Sequence, residues 1–183
     1  MAKCGYIFAA LVMVVVGAGA AAPGGTPGVG PDTRGSGVLE GQVVKGNVSI
    51  QLPKGWVNAG GQALIAAQPA GTDNDASGQF RASLTINVGT GNRVDAAGAQ
   101  AAQAKQWPGY VAVEKPGPVT VGGMQGVMFG GKFKLGSLEL RSRQYMFAVG
   151  GQVYTITFTC LNSKWAGYQE MVEASVGTFA VKR

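Results

Sequence analysis

The stretch from Val127 to Cys160 constrains the fold of this 183-residue chain more than any other. Two alternating runs meet at Gly136-Ser137. A two-residue loop there sets Leu135 opposite Leu138, Phe133 opposite Leu140, Phe129 opposite Gln144 and Val127 opposite Met146. Loop length fixes that register, and strand side chains alternate from face to face. One face of the predicted hairpin is largely apolar near its turn. The other carries Lys132 opposite Arg141, Lys134 opposite Glu139 and Gly130 opposite Arg143. Farther from the turn, Tyr145, Phe147 and Val149 make this second face apolar as well, so both faces need cover there. Gly150-Gly151 turns the chain into Gln152–Cys160, where Tyr154, Ile156, Phe158 and Cys160 alternate with Val153, Thr155, Thr157 and Thr159.

The flanking segments read as shorter elements. Val48, Ile50 and Leu52 share one side of a strand that ends at Pro53 and a Lys54-Gly55 turn, with Trp56 tucked under the sheet edge. Gln62–Gln68 and Arg81–Val88 are two more strands. Asp95 caps an alanine-rich helix running to about Gln106, stopped by Trp107-Pro108-Gly109. Tyr110–Glu114 and Val119–Val121 read as separate short strands around Pro116-Gly117-Pro118. Ser163 or Asn162 caps a second helix, on which Trp165, Tyr168, Met171, Val172 and Val176 form one apolar stripe. Gly177 ends it, and Thr178–Val181 returns as a last strand. Paired glycines among the 31 in the chain mark the turns. The predicted class is α+β, a central antiparallel β-sheet flanked by helices.

The first 22 residues read as an export signal: Lys3, an apolar run from Tyr6 to Val16, and small residues ending in Ala20-Ala21-Ala22. The run is short for a membrane-spanning helix, and Cys4 precedes it, where no lipoprotein cysteine sits. Residues 23–37, rich in Gly and Pro, form a flexible linker, and 38–183 a single domain. Cleavage after Ala22 removes Lys3 and lowers the formal charge from +6 to +5, leaving Cys160 as the one cysteine and no intrachain disulfide. The expected compartment is periplasmic or extracellular, with no stable membrane span after cleavage. The modest positive charge permits an acidic partner without calling for nucleic acid. The chain contains no histidine, which excludes Ser-His-Asp and Cys-His catalysis and histidine-bound zinc. Two cysteines are too few for an iron–sulfur centre. Glu170 and Glu173 fall one turn apart on the second helix and read as a solvated face. Neither a cofactor nor an enzymatic activity is expected.

Two segments carry a resemblance. "VSIQLPKGW" is similar to the opening strand, proline, turn and tryptophan of PsbP-like and DcrB-like proteins. "GGQVYTITFTCLNSKWAGYQEMVEASVGTFAV" is similar to their closing strand, last helix and final strand, and "VTVGGMQG" fits between. The resemblance covers about Val38 to Val181 in element order. It implies an α-β-α sandwich and a binding or accessory role rather than catalysis. The family it points to includes lumenal photosystem II subunits, exported bacterial proteins and a Ran-binding nuclear-transport relative. The export signal and the short leader favour the bacterial exported members. The metal-associated histidines of photosynthetic members have no counterpart here.

Asp73-Asn74-Asp75-Ala76-Ser77-Gly78 begins like a calcium-binding EF-hand loop, but the ninth position is Arg81 and the twelfth is Leu84, where a bidentate glutamate belongs. The segment therefore reads as a polar connection between strands, with Asp73 and Asp75 left as minor cation candidates. Lys132, Lys134, Arg141 and Arg143 share one hairpin face. Structurally that is a solvated face whose charges guard against edge pairing. Functionally it is the first candidate surface for an acidic protein or envelope component. Trp56, Trp107 and Trp165 read as packing anchors and Cys160 as a buried, inert thiol. Asn47-Val48-Ser49 matches a glycosylation acceptor, relevant only in a eukaryotic secretory route. The expected function is that of an exported non-enzymatic binding protein. A small-ligand or calcium carrier and a lumenal photosystem-associated subunit are the alternatives.

Overall fold

The computed structural model describes residues 39–182. The predicted signal (1–22) and linker (23–37) lie outside them. The elements run β1 (Leu39–Lys45), β2 (Val48–Pro53), β3 (Trp56–Asn58), β4 (Ile65–Pro69), β5 (Asp73–Asp75), β6 (Gly78–Phe80), β7 (Ser83–Thr90), α1 (Ala96–Gln106), β8 (Val111–Val121), β9 (Met124–Leu135), β10 (Leu138–Val149), β11 (Gln152–Leu161), a 3-10 turn (Asn162–Lys164), α2 (Trp165–Gly177) and β12 (Ala180–Val181). Seven strands form one antiparallel sheet in the order β3-β4-β7-β11-β10-β9-β8. The fold class is α+β, as the sequence indicates.

The β9–β10 register follows the turn chemistry. Leu135 pairs with Leu138, Phe133 with Leu140, Lys132 with Arg141 and Gly130 with Arg143. Gly136 takes φ 59°, the left-handed value that a two-residue loop of this hand requires at its first position. The neighbouring pairs β10–β11 and β11–β7 extend the same alternation. One sheet face therefore carries Leu84, Ile86, Phe147, Tyr154, Ile156, Phe158 and Cys160, all at most 1 % exposed. Burial of each large apolar side chain of this kind stabilises the fold by roughly 1.5–3 kcal/mol.

Helix α2 and a small sheet cover that face. β1, β2 and β12 form this second sheet in the order β1-β2-β12, an arrangement the sequence reading did not anticipate. Val48, Ile50 and Leu52 of β2 join the core with Val172, Val176 and Phe179. The polar groups here are paired: Ser175 Oγ donates to the Gln51 carbonyl and the Gln51 N–H to Thr178 Oγ1. Helix α1 lies on the opposite face. Asp95 caps it by accepting from the Gly98 N–H at 2.8 Å, and Trp107 just past its end stacks on Phe133 at 4.9 Å. Phe133 alternates with Lys132 and Lys134, so the two helices sandwich the sheet.

Two local expectations are corrected. Pro116-Gly117-Pro118 does not split the chain into two strands. β8 is continuous, with register shifts between Ala112 and Glu114 and between Glu114 and Gly117. It is the last strand of the sheet, and an edge strand tolerates prolines and bulges because one side of its backbone makes no ladder. Neither Ser163 nor Asn162 caps α2. The chain enters it through the 3-10 turn without a side-chain cap, and Ser163 Oγ bonds instead to Asp75.

Candidate functional site

The four basic residues of the hairpin separate into two pairs. Arg143 is buried at 6 % exposure, and its guanidinium is bound on several sides. Nε donates to Glu114 Oε2 at 2.7 Å, Nη2 to Glu114 Oε1 at 2.6 Å and Nη1 to Glu173 Oε1 at 2.5 Å. Arg141 donates to the same Glu114 through Nη2 at 2.7 Å. Both guanidinium groups lie over the Trp165 ring, 4.0 and 4.8 Å from its centre, where a cation meets the negative face of the indole. The expectation of one open basic face therefore changes: Arg141 and Arg143 are already neutralised inside the sandwich. Glu173, expected to be solvated, is one of their counterions and also accepts from Gln169 at 3.0 Å.

The alignment that makes this possible runs across three strands. Glu114 of β8 faces Gly130 of β9, and Gly130 faces Arg143 of β10. Glycine at 130 leaves space for the glutamate to reach over β9. A Cβ there would lie 2.5 Å from Glu114 Oε2 and 2.9 Å from the Ser142 carbonyl. The bulges on either side of Glu114 interrupt the β8 ladder at this point. Burial alone would raise the Glu114 pKa, but the bonds from Arg143 and Arg141 outweigh it and hold the carboxyl below its ordinary value. Burial likewise opposes the Arg143 charge, yet the bonds to Glu114, Tyr145 and Glu173 raise its pKa net. This like-charge juxtaposition of Lys132 and Arg141 was visible in the sequence. Its relief by Glu114 was not, because the glutamate comes from another strand.

Lys132 and Lys134 remain exposed. Lys134 lies 4.0 Å from Glu139, both well solvated, a geometry worth little on its own. The two lysines border a cleft of about 220 Å3 lined by Gly109, Val111, Phe133, Leu140 and Asn162 together with Glu139. A smaller cavity of about 70 Å3 lies under the Gly60-Gly61 loop against Ser83 and Thr85. It is well below the few hundred Å3 of ordinary small-molecule sites.

The acidic loop is committed elsewhere. It connects β4 to β7 as expected, but it is itself a small hairpin, β5–β6. Asp73 accepts from the Tyr168 hydroxyl at 2.8 Å. Asp75 accepts from Ser77 through its N–H and its hydroxyl and from Ser163. These bonds, that of Ser163 foremost, lower the Asp75 pKa to about 2. The carboxylates thus tie the hairpin to α2 and the turn before it. Among the described residues no group of three or more acidic or cysteine side chains could hold a metal ion. Burial pushes the Cys160 thiol up to about 12, which keeps it protonated and unreactive near neutrality. Trp56 and Trp165 are buried core residues.

No protein-family model and no curated protein sequence matches the chain. Solved structures do. LpqN of Mycobacterium tuberculosis, involved in cell envelope biogenesis, matches with a TM-score of 0.60 at 11 % identity, over 74 % of this chain and 83 % of that one. Cyanobacterial PsbP (CyanoP) of Synechocystis sp. PCC 6803 matches with a TM-score of 0.56 at 11 % identity, over 86 % and 98 %. PA94 of Pseudomonas aeruginosa, a protein of unknown function, matches with a TM-score of 0.53 at 17 % identity, over 78 % and 96 %. The chain has an α+β sandwich built on one antiparallel sheet. That sandwich is the PsbP-like fold. Among the described residues, no helix is long and apolar enough to cross a membrane.

Proposed function

We propose that this chain is an exported, non-enzymatic accessory protein of the cell envelope that acts by contact with another protein. The observation that carries the proposal is the pair of exposed lysines, Lys132 and Lys134, bordering an open cleft beside the last strand of the sheet. The N-terminal leader and the fold shared with LpqN, an envelope-biogenesis protein, favour the compartment. Arg141 and Arg143 of the same hairpin are paired with Glu114 and Glu173, which leaves the two lysines as its exposed basic groups.

Among the described residues, the groups whose surroundings clearly shift their pKa include none brought toward neutrality. Asp75 and Glu114 move down, while Arg143, Tyr110, Tyr145, Tyr168 and Cys160 move up. Each shift carries its group away from neutral pH, opposite to the tuning a general acid or base needs. A photosystem-associated role has the fold of CyanoP as its support and nothing more specific.

The test is in-cell crosslinking of the tagged full chain in its native envelope, compared with K132E/K134E. Capture of one defined protein, diminished in the double variant, is the expected result. Absence of any specific protein adduct, or equal capture by the variant, overturns the proposal.

A further inference from the structure

We infer that the cleft at Lys132 receives a single carboxylate, an aspartate or glutamate side chain of the protein partner, and that Glu139 competes with it from within. This rests on the protein-contact reading above and names the group that the site recognises.

The strand register leaves Lys132 without an acidic neighbour directly opposite on either adjoining strand. It stands opposite Arg141 of β10 on one side and Val111 of β8 on the other. Glu139 falls opposite Lys134 instead. Glu114, which reaches over from β8, is held by Arg141 at 2.7 Å and by Arg143 at 2.6 and 2.7 Å. With Glu173 also on Arg143, that network balances its own charges, and Lys132 stands outside it. Lys132 is exposed and Val111 beside it is 51 % exposed, so an incoming side chain can approach from the β8 side and lay its methylene stem on the valine.

The composition of the cleft sets the charge of its occupant. Its charged lining residues are Lys132, Lys134 and Glu139. Glu139 lies 4.0 Å from Lys134 with both side chains more than half exposed, a loose pair that offsets one of the lysines. One surplus positive charge remains in the lining, which matches a monoanion. A phosphate ester carries about −1.5 to −2 at neutral pH and would meet Glu139 at the same opening. The guanidinium forks that suit phosphate are bonded here to Glu114 and Glu173. Lysine ammonium groups act as point charges that accept a carboxylate without a fixed fork. Asn162 lines the same cleft, and a carboxamide supplies N–H donors to a carboxylate. A volume of about 220 Å3 is smaller than ordinary small-molecule pockets and suits one side chain.

The test is zero-length carbodiimide crosslinking of the tagged full chain in its native envelope, run beside a long-arm amine-reactive crosslinker. Carbodiimide joins an ammonium to a carboxylate only where the two are in contact. Peptide mass spectrometry should find an amide between Lys132 or Lys134 and an aspartate or glutamate of the protein that the long-arm reagent captures. K132R/K134R keeps both charges but removes the reactive amines. Long-arm capture should then persist through other exposed lysines such as Lys105, Lys115 and Lys164, while the zero-length amide disappears. E139Q removes the competing carboxylate and should raise capture, by up to about fivefold. The inference is overturned if zero-length amides to the captured protein form only at other lysines, if the linked carboxylate belongs to a second copy of this chain, or if E139Q leaves capture unchanged or lowers it. Long-arm capture without an amide at these two lysines ends the carboxylate assignment and leaves the protein-contact reading standing. Absence of any captured protein with either reagent ends both.

Discussion

Replacing Arg143 with Met removes the centre of the buried ion-pair network while keeping most of its bulk. The Arg143 side chain is 8 % exposed and that of Glu114 15 %, so the remaining glutamate would sit largely out of water. Removing one partner of a buried pair typically costs about 3–5 kcal/mol, because the orphaned charge is no longer compensated. Here Arg141 keeps its 2.7 Å bond to Glu114, which places the expected loss near the lower end, about 3 kcal/mol. For a domain of this size that corresponds to a fall in Tm of roughly 6–12 °C. Urea unfolding followed by circular dichroism gives the free energy directly. Adding E114Q to form a double-mutant cycle isolates the pair, with a coupling of about 2 kcal/mol expected. The reasoning is refuted if R143M costs less than about 1 kcal/mol, the value of an exposed pair, or if the two substitutions are additive.

Two further outcomes follow from the same geometry. Gly130→Ala forces a methyl group against Glu114 Oε2 and the Ser142 carbonyl and should destabilise by about 1–3 kcal/mol. Gly89→Ala, with nothing within 4 Å of the new Cβ, is the control, and equal effects of the two would contradict the cradle. Acid should weaken the fold through two carboxylates. Glu114 has a folded pKa below its unfolded value near 4.5, so its contribution is complete above about pH 5 and is lost as pH falls through the lowered folded pKa. Asp75 acts in the same sense, between about 3.8 and about 2. Urea midpoints measured from pH 6 to 2 should fall less steeply in E114Q than in the parent protein; an unchanged slope would remove Glu114 from the account.

The legible part of the fold was local. Asp95 capping α1 and the full β9–β10 register rest on spacings of a few residues and on what a two-residue turn allows. The strand Gln152–Leu161 and the buried face of α2, with Trp165, Val172 and Val176, follow from periodicity in the same way. What escaped that reading involves distant partners or edges. Pro116 and Pro118 look like strand breaks until β8 proves to be an edge. Ser163 looks like a cap until Asp75, 88 positions away, claims it. The basic face at Arg141 and Arg143 looks open until Glu114 arrives over Gly130.

The sequence by itself determined which residues alternate, where the chain turns, and that Lys132 must stand beside Arg141, since neighbouring backbone geometry decides those things. The tertiary structure alone decided which charges remain available. Whether an arginine is a binding group or an internal strut depends on which carboxylate the fold brings within 3 Å of it. For Arg143 the carboxylates come from β8 and α2, so of the four basic residues on that hairpin face Lys132 and Lys134 are the exposed ones.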